Sequence, residues 1–215
     1  MCGALGPAPC PTCVAGLRRA PALPAPRDVD SCAALLAYEG PGRELVARLK
    51  YRNARASIPF LADRMAALTT ANGLAVDVVT WAPTTDTRRR DRGFDQAELL
   101  ARAIARRLGP GGVACRKLLL RPPGPAQTGQ PLTTRQAGPA FRPVRPRASP
   151  PIVLLVDDVV TSGATVAAAA RALRAAGAVE VHVVAAARTP RAPPTPTPPA
   201  VGHTLPACGR VWVCG

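Results

Sequence analysis

The segment Ile152 to Thr165, I-V-L-L-V-D-D-V-V-T-S-G-A-T, constrains the fold more than any other stretch of the chain. Five apolar, mostly β-branched residues, Ile152–Val156, read as a strand covered on both faces. Val166–Ala176 reads as a helix stopped by Gly177, and Val179–Ala187 as the next strand. Strand, turn, helix, glycine and strand make a βαβ unit, which implies a parallel sheet. The expected architecture is therefore α/β: a central parallel sheet of about five strands with helices on both faces.

The rest of the chain supplies more such pieces. Glu44–Lys50 and Pro59–Thr69 read as helices, Val76–Trp81 as a strand, and Gln96–Leu108 as a helix ended by Gly109-Pro110. Proline marks the boundaries. Residues 1–31 form a cysteine- and proline-rich segment without apolar periodicity, either a small loop-rich module or a disordered arm. Residues 32–188 hold the α/β pattern, and 121–151 within them form a polar, proline-rich stretch. Residues 189–215 read as a disordered proline-rich tail. No apolar run is long enough to span a membrane, and the N-terminus lacks a secretory signal, so a cytoplasmic protein is expected.

Two segments carry chemistry. Asp157 and Asp158 end the buried strand, where parallel sheets bind ligands. Adjacent carboxylates there can accept hydrogen bonds from vicinal ribose hydroxyls and sit near Mg²⁺. The turn Thr161, Ser162, Gly163, Ala164, Thr165 offers backbone N–H groups, hydroxyls and a helix N-terminus to a phosphate. A diol and a phosphate bound so close together describe a 5-phosphoribosyl group. The second segment follows the strand ending at Trp81. It reads P-T-T-D-T-R-R-R-D-R-G-F-D-Q, an arginine-rich loop in which Arg88, Arg89, Arg90 and Arg92 suit a pyrophosphate. A solvated basic loop is the bland alternative. The chain carries 28 basic against 13 acidic residues, a formal charge of +15, which favours a polyanionic partner without naming it. All the cations but Lys50 and Lys117 are arginine, which also fits a GC-rich coding bias.

R-G-F-D-Q-A-E-L-L-A after an arginine-rich loop, with V-D-D-V-V-T-S-G-A-T downstream, resembles the competence protein F (ComF) family of the type I phosphoribosyltransferase fold. Tyr38-Glu39-Gly40, Leu49-Lys50-Tyr51, Gln127-Thr128-Gly129-Gln130 and Arg135 agree with it, over residues 32–188. Asp95 stands where that family often has Asn. The resemblance implies binding of phosphoribosyl pyrophosphate (PRPP) with Mg²⁺. It would place the ribose on Asp157 and Asp158, the 5′-phosphate on Thr161–Thr165, and the pyrophosphate by Arg88–Arg92. The stretch around Arg121–Arg135 would be the loop that closes over the site. It also implies an N-terminal zinc ribbon and a role in DNA uptake, with single-stranded DNA and other uptake proteins as partners. No residue stands out as a general base for phosphoribosyl transfer.

The cysteines fit the zinc ribbon only partly. Cys10-Pro11-Thr12-Cys13 has knuckle spacing, and Cys2-Gly3 resembles the second half of another. That makes three zinc ligands, Cys2, Cys10 and Cys13. A fourth would fall at or before Met1, as if translation began upstream, or be Cys32. A metal-free arm is the alternative. Cys115 reads as a packing residue, His182 as a packed or surface histidine, and the tail with His203, Cys208 and Cys214 as an unstructured appendage. Three functions stay open: a phosphoribosyltransferase with an unidentified acceptor, a PRPP or nucleotide sensor without the chemistry, and a DNA-binding accessory protein. With only 3% aromatic residues, DNA contact would be mainly electrostatic.

Overall fold

A computed structural model describes residues 8–22, 24–49, 52–122, 139–144 and 152–190. In chain order these form α1 (Pro11–Ala15), β1 (Ser31–Ala37), α2 (Gly40–Arg48), a 3₁₀ turn (Arg52–Ser57), α3 (Ile58–Ala71), β2 (Val78–Trp81), α4 (Asp86–Arg92), α5 (Gln96–Ala105), β3 (Ala114–Cys115), β4 (Leu119–Leu120), β5 (Arg142–Pro143), β6 (Ile152–Val160), α6 (Ala164–Ala175) and β7 (Glu180–Arg188).

Five strands make one all-parallel sheet in the order β1-β7-β6-β2-β3. Its two faces are sealed separately, because alternate residues of a strand point to opposite sides. Leu154 and Val156 join the cluster made with α2, α3 and α5, which includes Leu45, Leu61, Met65, Leu100 and Ile104. Val153 and Leu155 join the other cluster, with Val166, Ala170 and Leu173 of α6, Leu119 of β4 and its neighbour Leu118. β4 and β5 pair as a small antiparallel ribbon. No helix of the described residues is long and apolar enough to cross a membrane.

Several boundaries differ from the sequence reading. β6 does not stop at Val156 but runs to Val160, since β7 pairs with it as far as Arg188. Asp157 and Asp158 thus lie inside the strand's last turn of pairing. α2 begins four residues early, at Gly40, with Pro41 in its first turn. The arginine-rich segment is not a loop: Asp86–Arg92 is helical, with Thr85 capping Arg88 N–H at 3.3 Å and Gly93 closing it at φ 75°.

The N-terminal segment lies along the sheet edge. Ala20 N–H donates to Leu35 O at 3.2 Å and Ala37 N–H to Arg18 O at 2.9 Å. Val29 belongs to the second core cluster. Residues 11–15 form a short helix with Pro11 in its first turn; Cys10 stands at its N-cap position and Cys13 lies within it. Among the described residues no three or more His, Cys, Asp and Glu side chains gather to hold a metal ion. Cys2 lies outside the described residues, as do Lys50, Tyr51, Gln127–Gln130, Arg135 and the tail from 191, with His203, Cys208 and Cys214. His182 is a packed histidine, its ring held between Ser31 Oγ at 2.8 Å and Glu180 Oε2 at 2.9 Å. Cys115 packs against the first core cluster.

Candidate functional site

Strand order explains where a ligand would sit. After β2 the chain moves outward to β3, whereas after β6 it moves the other way to β7. The segments leaving β2 and β6 therefore diverge, and a crevice opens between them at the carboxyl edge. A cleft of about 340 Å³ lies there. Its walls bring together Asp157, Asp158, Thr161 and Thr165 from the β6 side with Arg88, Arg92, Thr84 and Asp95 from the β2 side.

Asp157 is buried, with 8% of its surface exposed. Its Oδ1 accepts from the Asp158 N–H at 2.8 Å, and Asp158 Oδ1 accepts from Val159 N–H at 2.8 Å. Burial pushes the Asp157 carboxyl well above the usual range, and the Asp158 carboxylate beside it adds to the rise. Two adjoining carboxylates with oxygen lone pairs to spare suit Mg²⁺. That ion typically takes only one or two protein carboxylates, with substrate oxygens and water completing its shell. The pair fits the ion without a third protein ligand.

The turn after β6 leads directly into α6. Gly163 is the N-cap of α6 at φ 83°, a conformation open to glycine and strained for other residues. A Cβ placed there would meet Pro26 Cγ at 2.7 Å, so the glycine is required for space as well. Thr161 and Thr165 line the cleft, whereas Ser162, Gly163 and Ala164 do not. Ser162 Oγ accepts from Ala164 N–H at 3.4 Å.

The arginines divide by helical geometry. Arg88 and Arg92, four apart on α4, share a face and line the cleft. Arg89 points elsewhere and pairs with Glu98 at 3.5 Å. Arg90 is exposed and lines neither this cleft nor its neighbour. Arg92 Nη1 donates to Gln96 Oε1 at 3.2 Å, which orients that amide, and the Gln96 Nε2 is buried without a hydrogen-bond partner.

Three lining residues did not stand out from the sequence as site residues. Asp95 is an organiser rather than a free acid. Its Oδ1 accepts from Ala97 and Glu98 N–H at 3.0 and 3.5 Å, capping α5, and its Oδ2 accepts from Thr84 N–H at 2.8 Å. Burial raises its pKa, with these backbone bonds opposing the rise. The D-Q-A-E pattern of a capping box was its visible signal. Tyr38, after β1, and Arg121, after β4, reach the cleft only through tertiary folding. Burial and the nearby charge of Arg88 depress the Arg121 pKa, while Asp157 and Asp95 work the other way.

Residues 95–201 match the model of the phosphoribosyl transferase domain. The matched stretch runs from the α5 cap through β6 and its turn to β7 and beyond. It holds Asp157–Thr165 but not Arg88–Arg92. No curated protein matches the chain. The parallel sheet flanked by helices is that of a type I phosphoribosyltransferase-like fold.

Proposed function

From the phosphoribosyltransferase domain that this chain carries, we propose that it binds PRPP with Mg²⁺ and transfers the phosphoribosyl group to an acceptor. The observation that carries the reading is one cleft shared by Asp157 and Asp158, Thr161 and Thr165 of the turn, and Arg88 with Arg92. In this reading the carboxylates hold the ribose diol and the metal, and the turn receives the 5′-phosphate. Arg88 and Arg92 neutralise the pyrophosphate as it leaves. Mg²⁺ would add positive charge at the phosphate oxygens. The acceptor's lone pair forms the new bond to the anomeric carbon while the carbon–oxygen bond to pyrophosphate breaks, its electron pair departing with pyrophosphate. The acceptor's proton passes to solvent.

A titration of the full chain with PRPP and Mg²⁺ tests this. Saturable binding is expected in the wild type and its loss in Asp157→Asn/Asp158→Asn; undiminished binding in the double variant refutes the reading. Pyrophosphate release across a panel of bases and amines then separates transfer from sensing. In keeping with the ComF resemblance, we further place the protein in the cytoplasm, in the handling of incoming single-stranded DNA. The exposed arginines of α4 favour that second reading, as a polyanion-binding accessory.

A further inference from the structure

A second cavity, about 290 Å³, adjoins the first and shares Pro83, Thr84, Asp95 and Arg121 with it. Its roof is the β4/β5 ribbon. α4 forms the partition: its Arg88/Arg92 face lines the first cleft, and Asp86 and Arg89, three apart, line the second.

The lining has an unusual chemistry. Leu120, 45% exposed, is one of only two large hydrophobic residues left open to solvent among the described residues, and it faces this cavity with Pro83 and Pro122. Lys117, Arg121 and Arg142 converge on the same space. The two acids there do not balance them: Asp95 spends its oxygens on three backbone N–H groups, which leaves Asp86. Among the described residues, no carboxylate forms an ion pair with Lys117, Arg121 or Arg142. Arg121 lies over the Phe141 ring, 5.9 Å from its centroid, where a flat charged group is already accommodated.

Apolar walls gain nothing from a hydrated inorganic anion, and converging cations gain little from a neutral ring. We propose that this second cavity binds a small organic anion, a carboxylate on a flat apolar body, independently of the ribose-phosphate cleft on the other side of α4. Leu120 and the prolines cover the body, and Lys117 and Arg142 meet the carboxylate at the mouth.

Calorimetric titration of the full chain with benzoate, anthranilate and the neutral isostere benzamide tests the proposal. The carboxylates should bind saturably and at least about tenfold more tightly than benzamide, the size of one charge-assisted hydrogen bond. Lys117→Ala/Arg142→Ala should abolish that preference, and Lys117→Arg/Arg142→Lys should restore it; melting curves check that both variants fold. Equal binding of benzoate and benzamide overturns the proposal, as does a preference surviving in the alanine variant. Inorganic pyrophosphate should bind together with benzoate, and mutual displacement would overturn the separate site. PRPP titrated into the same wild-type protein keeps the two readings apart. Absent PRPP binding with an intact benzoate preference defeats the transferase reading alone, and the converse defeats this site alone.

Discussion

At the scale of single residues, Asp157 carries the sharpest conflict between stability and function. Its carboxyl is buried, has Asp158 for a neighbour, and is pushed well above the usual range by that burial first and that charge second. A carboxyl whose folded pKa is raised stabilises the fold while protonated. That contribution is present at acid pH and is lost as pH rises from the ordinary aspartate range through the raised value. At neutral pH this carboxyl therefore costs stability, and Asp157→Asn should melt about 2–4 °C higher than wild type. The difference should shrink towards about pH 4, where unfolded aspartate also begins to hold its proton. Thermal melts at the two pH values check this, and a lower midpoint for the variant at neutral pH would contradict it. The pair was visible in the sequence because two acids directly after an apolar run mark the carboxyl end of a buried strand. Tyr38 and Arg121 entered only as a landmark of the family resemblance and as the start of the closing stretch, and it is the folded sheet edge that brings them to the cleft.

At the scale of elements, legibility followed apolar periodicity. β6, α6 and β7 were readable because Val, Leu and Ala repeat at strand or helix spacing. α4 was missed because Asp86–Arg92 has no apolar stripe; its helicity comes from the Thr85 cap and the Gly93 stop. β1 was missed because S-C-A-A-L-L-A is alanine-rich and lacks the β-branched residues that mark a strand. The helical form of α4 has a consequence that a loop would not: its arginines are not interchangeable. Arg88→Ala should weaken PRPP binding by about tenfold or more, the loss of a charge-assisted contact. Arg90→Ala should change it less than about twofold, the scale of exposed charges. Parallel titrations of the two variants check the contrast, and equal effects would show that helical facing does not govern the contact.

At the scale of the whole molecule, the charge of +15 is divided rather than pooled. Some arginines are absorbed by local acids, as Arg171 and Arg174 are by Asp28 and Asp30 at 3.4 and 2.5 Å. Others, such as Arg88, Arg90 and Arg142, remain exposed. If single-stranded DNA is a partner, its affinity should fall steeply with salt, as counterion release requires, because the chain has few aromatic rings on which to stack bases. Filter binding between low and moderate salt measures the slope, and a flat response would refute electrostatic capture. The parallel α/β class followed from the βαβ unit. The order β1-β7-β6-β2-β3 did not, because sheet neighbours are chosen by packing across the whole chain.

That order also bears on how the protein is made. β1 is made before the other described strands of the sheet and pairs with β7, the last of them: Ser31 lies opposite His182 and Ala37 opposite Arg188. Until β7 is made, β1 has no sheet strand to join. The backbone groups it turns towards β7, and its leucines Leu35 and Leu36, lack that cover until then. Folding is thus held back to a late closing step, in which β1 and β7 meet and complete the sheet.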